Sequence, residues 1–123
     1  MGKVRVAYNT DRFDETFAWW TDGFGVQCVE QWDNDHSRGA ILSLGPGTEL
    51  EIFAAAREAE PLKPPNDGFQ IMIPSDNPRS DFARLQSKGV SIETPPMEKP
   101  WATQFTLRDP NGVQVFLYRS KNK

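Results

Sequence analysis

Two turn-and-strand segments of this 123-residue chain lie 65 positions apart and share one pattern. They are GPGTELEIF, starting at Gly45, and PNGVQVFLY, starting at Pro110. The same offset carries Arg5 onto Gln70, Phe17 onto Phe82, Gly47 onto Gly112 and Glu51 onto Phe116. A chain of this length forms one domain of ordinary size. An internal duplication then restricts it to two similar modules, too few copies for a solenoid.

The elements on either side fit that division. In NTDRFDETFAWWTDGFG, residues Phe13, Phe17 and Trp20 fall on one face of a helix, with Thr10 or Asp11 as its cap and Gly23 or Gly25 as its end. In DNPRSDFARLQSKGV, Asn77 is the expected cap, Pro78 the first helical residue, Phe82 and Leu85 the buried stripe, and Lys88-Gly89 the stop. Strands are expected around Val4–Tyr8 and in VQCVEQW, GAILSLG, TELEIFA, GFQIMIP, VSIETP, WATQFTLRD and VQVFLY. REAEPLKPPNDG, rich in proline and charge, reads as a linker. The predicted fold class is α+β. Two βαβββ modules, at about residues 1–57 and 67–120, make up a single domain spanning 1–123.

The strands are two-sided. Val4, Val6 and Tyr8 should pack under a helix and leave Arg5 and Ala7 on the other face. The same parity leaves Glu49, Glu51 and Phe53 in the fourth strand, and Gln70 and Met72 in the fifth. In the eighth, Val115 and Leu117 pack, leaving Gln114, Phe116 and Tyr118. A mixture of Arg, Gln, Glu, Met, Phe and Tyr suits an apolar pocket with a few polar groups better than a solvated sheet face.

Composition removes several function classes. Hydrophobic content of 37% and charged content of 25% fit a soluble globular protein. A net charge of −3 offers no electrostatic footprint for nucleic acid, and no basic run suggests a membrane surface. No apolar run approaches the roughly 20 residues that span a bilayer. MGKVRVAYNT contains no apolar signal segment, so a cytoplasmic location is expected. The single cysteine, Cys28, allows no intrachain disulfide. It reads as a buried structural residue.

The pieces FAWWTDGFG, SKGVSIETPP and PWATQFTLRDPNGVQVFLY, in the duplicated order, resemble the vicinal oxygen chelate superfamily of glyoxalases, extradiol dioxygenases and bleomycin resistance proteins. The resemblance covers nearly the whole chain. It implies paired βαβββ modules whose curled mixed sheets surround a central cavity, and a homodimer. It also implies that a metal, where members use one, sits at four positions that fall here at Arg5, Glu51, Gln70 and Phe116. The family expects His or Gln, Glu, His or Gln, and Glu at these positions. An arginine is always protonated and a phenylalanine has no donor atom, so no metal and no other cofactor is expected.

Other candidates carry weaker signals. His36, with Asp33 and Asp35, reads as polar hairpin chemistry rather than a metal cluster. Trp20 reads as core, and Trp19 lies off the stripe, where a partner subunit is one occupant. Trp32 and Trp101 are each read either as pocket wall or as ordinary packing. Arg5 and Glu51 are either a mutual ion pair or a ligand-binding pair.

Three readings follow. The preferred one is a metal-independent binding protein of the bleomycin-resistance kind that holds or sequesters a planar apolar small molecule, an antibiotic being one such ligand. Its pocket is expected to contain Arg5, Glu51, Gln70, Met72, Trp101, Phe116 and Tyr118. The alternative is a lyase, isomerase or dioxygenase-like enzyme, with a degenerate metal site or with Glu51 and Arg5 moving a proton. The third is a structural subunit whose pocket has lost its use.

Overall fold

The computed structural model describes residues 2–58 and 68–121. The chain divides into two compact units, Met1–Pro65 and Asn66–Lys123. Most of the expected linker, residues 59–67, lies outside the described residues. The fold is α+β, with two four-stranded mixed sheets that are not closed.

The first unit runs β1 (Val4–Thr10), α1 (Phe13–Ala18), a π-helical turn (Trp19–Phe24), β2 (Cys28–Asp33), β3 (Arg38–Gly45) and β4 (Thr48–Ala54). A short 3-10 turn (Ala55–Arg57) follows. The second runs β5 (Gln70–Pro74), α2 (Pro78–Ser87), β6 (Ile92–Glu98), β7 (Ala102–Arg108) and β8 (Gln114–Ser120). The sheet orders are β1-β4-β3-β2 and β5-β8-β7-β6. In each, the first strand pairs in parallel with the last and the other pairings are antiparallel. Register repeats as well as order. Adding 65 carries the opposed pairs Arg5–Glu49 and Ala7–Glu51 onto Gln70–Gln114 and Met72–Phe116.

Each helix lies on one face of its own sheet. Tyr8, Leu50 and Ile52 are buried there with Trp20, whose indole Nε1 donates to the Tyr8 hydroxyl at 3.1 Å. In the second unit, Leu85, Phe105, Leu107, Val115 and Leu117 are buried, and the Phe82 ring meets Phe105 edge-on at 5.6 Å. Fully burying an aliphatic or aromatic side chain of this kind contributes about 1.5–3 kcal/mol.

The helix ends follow their capping chemistry. Asn77 accepts from the Ser80 backbone N–H at 3.1 Å, with Pro78 at the start of α2, and Gly89 ends it at φ 79°. The start of α1 differs from expectation. Arg12 is its flanking residue and makes no side-chain cap; the Thr10 hydroxyl instead accepts from the Arg12 N–H at 2.9 Å. A π-helical turn then widens the helix. It places Trp20 and Phe24 together in the core, leaves Phe17 half-buried, and closes at Gly25 with φ 95°. Cys28 also departs from expectation: it is half-exposed, because β2 is an edge strand with a register shift between Cys28 and Glu30. Among the described residues, no helix is long and apolar enough to cross a membrane.

Candidate functional site

The face of each sheet away from its helix carries the candidate residues. In β8, Val115 and Leu117 are buried while Gln114, Phe116 and Tyr118 are partly exposed, the expected parity. Phe105, which meets the helix, stands opposite Leu117; Thr106 stands opposite Phe116. Phe116 therefore faces away from α2.

On the first unit, Arg5 lies directly opposite Glu49. Its Nη2 and Nε donate to Glu49 Oε1 at 3.1 and 3.3 Å, and its Nη1 to Glu51 Oε1 at 3.4 Å. Lys3 Nζ reaches Glu49 Oε2 at 3.4 Å. The Glu49 side chain is 6% exposed and that of Glu51 16%, while Arg5 keeps 48% of its surface in solvent. Burial opposes the charge on Glu49, but hydrogen bonds from Arg5 and Lys3 outweigh it and hold the carboxyl below the usual range. The hydrogen bond to Glu49 likewise raises the Arg5 pKa. Arg5 thus has two carboxylate partners, and the nearer one is Glu49, which the sequence analysis did not select.

On the second unit, a polar ladder crosses the sheet at the Gln70 end. Gln70 Nε2 donates to Gln114 Oε1 at 3.0 Å, and Gln114 Nε2 to Glu93 Oε1 at 2.8 Å. Glu93 also accepts from Arg108 Nε at 2.5 Å and from the Thr106 hydroxyl at 3.0 Å. These bonds, that of Arg108 foremost, lower the Glu93 pKa. Beyond the ladder the face turns apolar. Met72 is 54% exposed and stands opposite Phe116, and Tyr118 stands opposite Pro74. Trp101 lies in the turn between β6 and β7 and is 58% exposed.

Of the four positions that the family resemblance implies for a metal, two lie on each unit, and neither pair offers a set of free donor atoms. Arg5 is a cation and Phe116 has no donor. The Glu51 carboxylate is engaged by Arg5, and the Gln70 amide by Gln114. Among the described residues, no three His, Cys, Asp or Glu side chains come together as a metal site. His36 is exposed in the β2–β3 turn, where Asn34 Oδ1 accepts from the His36 and Ser37 N–H groups at 2.8 and 3.1 Å. Trp19 is half-buried, with its ring at 4.9 Å from Trp20 and 5.7 Å from Phe24.

Of the expected pocket residues, Tyr118 lines an open groove of about 610 Å³ with Pro74, Ser75, Asp76, Arg119 and Ser120. The sequence analysis did not single out a row on the first sheet: Asn9, Phe53, Gly39 and Trp32 are successive register partners across β1, β4, β3 and β2. Trp32 packs edge-on against Phe53 at 6.0 Å, and its Nε1 donates to the Ser37 hydroxyl at 2.9 Å.

Two units of identical strand order, each a helix-backed sheet with one parallel edge pair, define a duplicated βαβββ fold. The chain belongs to the glyoxalase/bleomycin resistance protein/dioxygenase superfamily, whose sequence model matches residues 3–117. Solved structures share the fold at low identity. TnmS3, an antibiotic binding protein from Streptomyces sp. CB03234, is 20% identical with a TM-score of 0.80, covering 98% of this chain and 97% of its own. TioX from Micromonospora sp. ML1 is 21% identical with a TM-score of 0.76, covering 97% and 98%. A superfamily member from Sphaerobacter thermophilus DSM 20745 is 18% identical with a TM-score of 0.74, covering 97% of each chain. A search of curated protein sequences finds no significant match.

Proposed function

We propose that this protein binds a planar, largely apolar small molecule without a metal ion. The observation that carries the reading is the character of the helix-free faces. Phe116, with the exposed Met72 opposite it, is apolar where the family resemblance implies a donor atom, and Arg5 neutralises Glu51 at another such position. Apolar walls with a few fixed polar groups suit an uncharged conjugated ligand. The description of TnmS3 as an antibiotic binding protein supports the same reading, at the level of ligand class. The contacts proposed are Arg5 and Glu51 on the first unit, and Gln70, Met72, Phe116, Tyr118 and Trp101 on the second. The working form proposed is a cytoplasmic homodimer.

A thermal-shift screen tests the binding. Planar polycyclic compounds are expected to raise the melting temperature, and zinc, iron, nickel and manganese salts are not. A near-stoichiometric metal content in untagged protein, or stabilisation by metals alone, overturns the reading. Sedimentation tests the assembly, with a clean monomer at micromolar concentration as the contrary outcome.

A further inference from the structure

The strongest unexplained feature outside the proposed contact set is Asn9. It is 2% exposed, and its Nδ2 is buried without a hydrogen-bond partner among the described residues. A buried unpaired amide donor is unfavourable, and such groups are rare in native proteins. Its neighbours on β1 fix its direction. Tyr8 and Thr10 reach the helix side, where they meet Trp20 and Thr16. Asn9 therefore belongs to the opposite face, with Arg5 and Ala7.

That face offers Asn9 a built aromatic setting. Phe53 on β4 is its register partner, and Trp32 lies on β2, two strands beyond Phe53, with Gly39 on β3 between them. Gly39 is the reason the indole can lie there: a Cβ at this position would stand 2.5 Å from Trp32 Cζ2. Ser37 anchors the indole N–H and itself donates to Glu58 at 2.6 Å. The aromatic pair is thus held in place before any ligand arrives, which removes part of the ordering cost of binding.

We infer that Asn9, Phe53 and Trp32 form a subsite for the carbonyl edge of a flat conjugated ring system, with Asn9 Nδ2 donating to an uncharged ring oxygen. This rests on the binding function proposed above and specifies its ligand class. The aromatic pair supplies apolar edges and faces for a ring. The orphan donor selects an acceptor, and its burial selects a small projecting one. A soft terminal torsion lets the amide turn toward that oxygen. A carboxylate is disfavoured because it would be desolvated without a counter-ion: Arg5, already committed to Glu49 and Glu51, stands four residues along the strand, roughly 13 Å away.

Equilibrium dialysis with fluorenone and fluorene, which share a ring skeleton and differ in the carbonyl oxygen, tests the assignment. The protein is expected to retain fluorenone at least about fivefold more tightly than fluorene, the range of one net hydrogen bond. Asn9→Leu is expected to equalise the two by weakening fluorenone alone, with an unchanged or higher melting temperature because the orphan donor is gone. Asn9→Ala, which removes the donor without adding bulk, is expected to lose the preference too and serves if the leucine variant does not fold. Equal retention of both probes by the unmodified protein, or a preference that survives in the variants, overturns the subsite while leaving the binding function standing. Retention of neither probe overturns both.

Discussion

Trp32 lies across Gly39, and nothing larger than a hydrogen fits beneath it. A Cβ on Gly39 would come within 2.5 Å of Trp32 Cζ2 and 2.8 Å of the Ile52 carbonyl oxygen. The second contact is with backbone in the adjacent strand, so a side-chain rotation alone does not relieve it. Gly39→Ala is expected to destabilise the fold by about 1–3 kcal/mol, the range for overpacking a well-filled site. Denaturant unfolding followed by tryptophan fluorescence reads both the loss and the displaced indole. An unchanged midpoint would show that Trp32 is not held as described.

Asp109 sets the turn that launches β8. Its Oδ1 accepts from the Asn111 and Val113 N–H groups at 2.8 and 3.0 Å, its own N–H reaches the Val113 carbonyl at 3.0 Å, and Gly112 takes φ 85°. Asp109 is buried, so removing the carboxylate strands donors that water reaches poorly. Asp109→Ala is expected to cost about 1–3 kcal/mol. Asp109→Asn keeps one acceptor and should recover part of that loss in the same unfolding experiment.

Acid should weaken the second unit through its carboxylate pairs. Hydrogen bonds from Lys121, Arg79 and Thr103 lower the Glu98 pKa from 4.5 to about 2. Glu93 is lowered as well, chiefly by Arg108. A group whose folded pKa is depressed binds fewer protons folded than unfolded. Its contribution is therefore complete above the unfolded value and disappears as pH falls through the folded one. The melting temperature should decline from about pH 5 towards pH 2, and more gently in Glu98→Gln. The variant and the unmodified protein should converge near the acid end, and parallel curves over the whole range would contradict the role given to Glu98.

The elements were legible in the sequence where local chemistry decides them. TELEIFA is the strand Thr48–Ala54, Asn77 caps α2, and the alternation in β8 assigns Phe116 and Tyr118 to the helix-free face. The duplication was legible too, because an offset of 65 survives in both strand order and register. What escaped depends on which residues stand opposite each other across strands distant in sequence. Parity groups Arg5 with both Glu49 and Glu51, but only the parallel register shows Glu49 directly opposite. The Glu93 ladder depends on register shifts in β6 on either side of Thr94, which no periodicity reveals. The aromatic turn after α1 reads as ordinary helix, because a π-helical turn has no composition signal of its own. Asn9 attracts no notice in a strand pattern; it matters only once it is found buried and unpaired.

Phe116 offers the sharpest test of the proposed site. It is half-buried, stands opposite Met72 on β5 and Thr106 on β7, and points away from α2. Phe116→Ala removes apolar wall and should weaken a planar apolar ligand several-fold, with some loss of stability from the space left behind. Phe116→Glu separates the binding role from packing. It supplies the carboxylate that the family resemblance implies at this position, so a latent metal site would gain affinity for zinc or manganese. The expected result is the opposite: lost binding of planar compounds and no stoichiometric metal. On the same unit, Gln70, which the family resemblance also implies as a ligand, remains bonded to Gln114. A cation on this unit would have to displace that bond and still find fewer than the three strong ligands that zinc needs. Dialysis against each metal followed by elemental analysis, in parallel with thermal shifts from planar ligands, distinguishes the outcomes. Tight metal binding by Phe116→Glu would overturn the metal-independent reading.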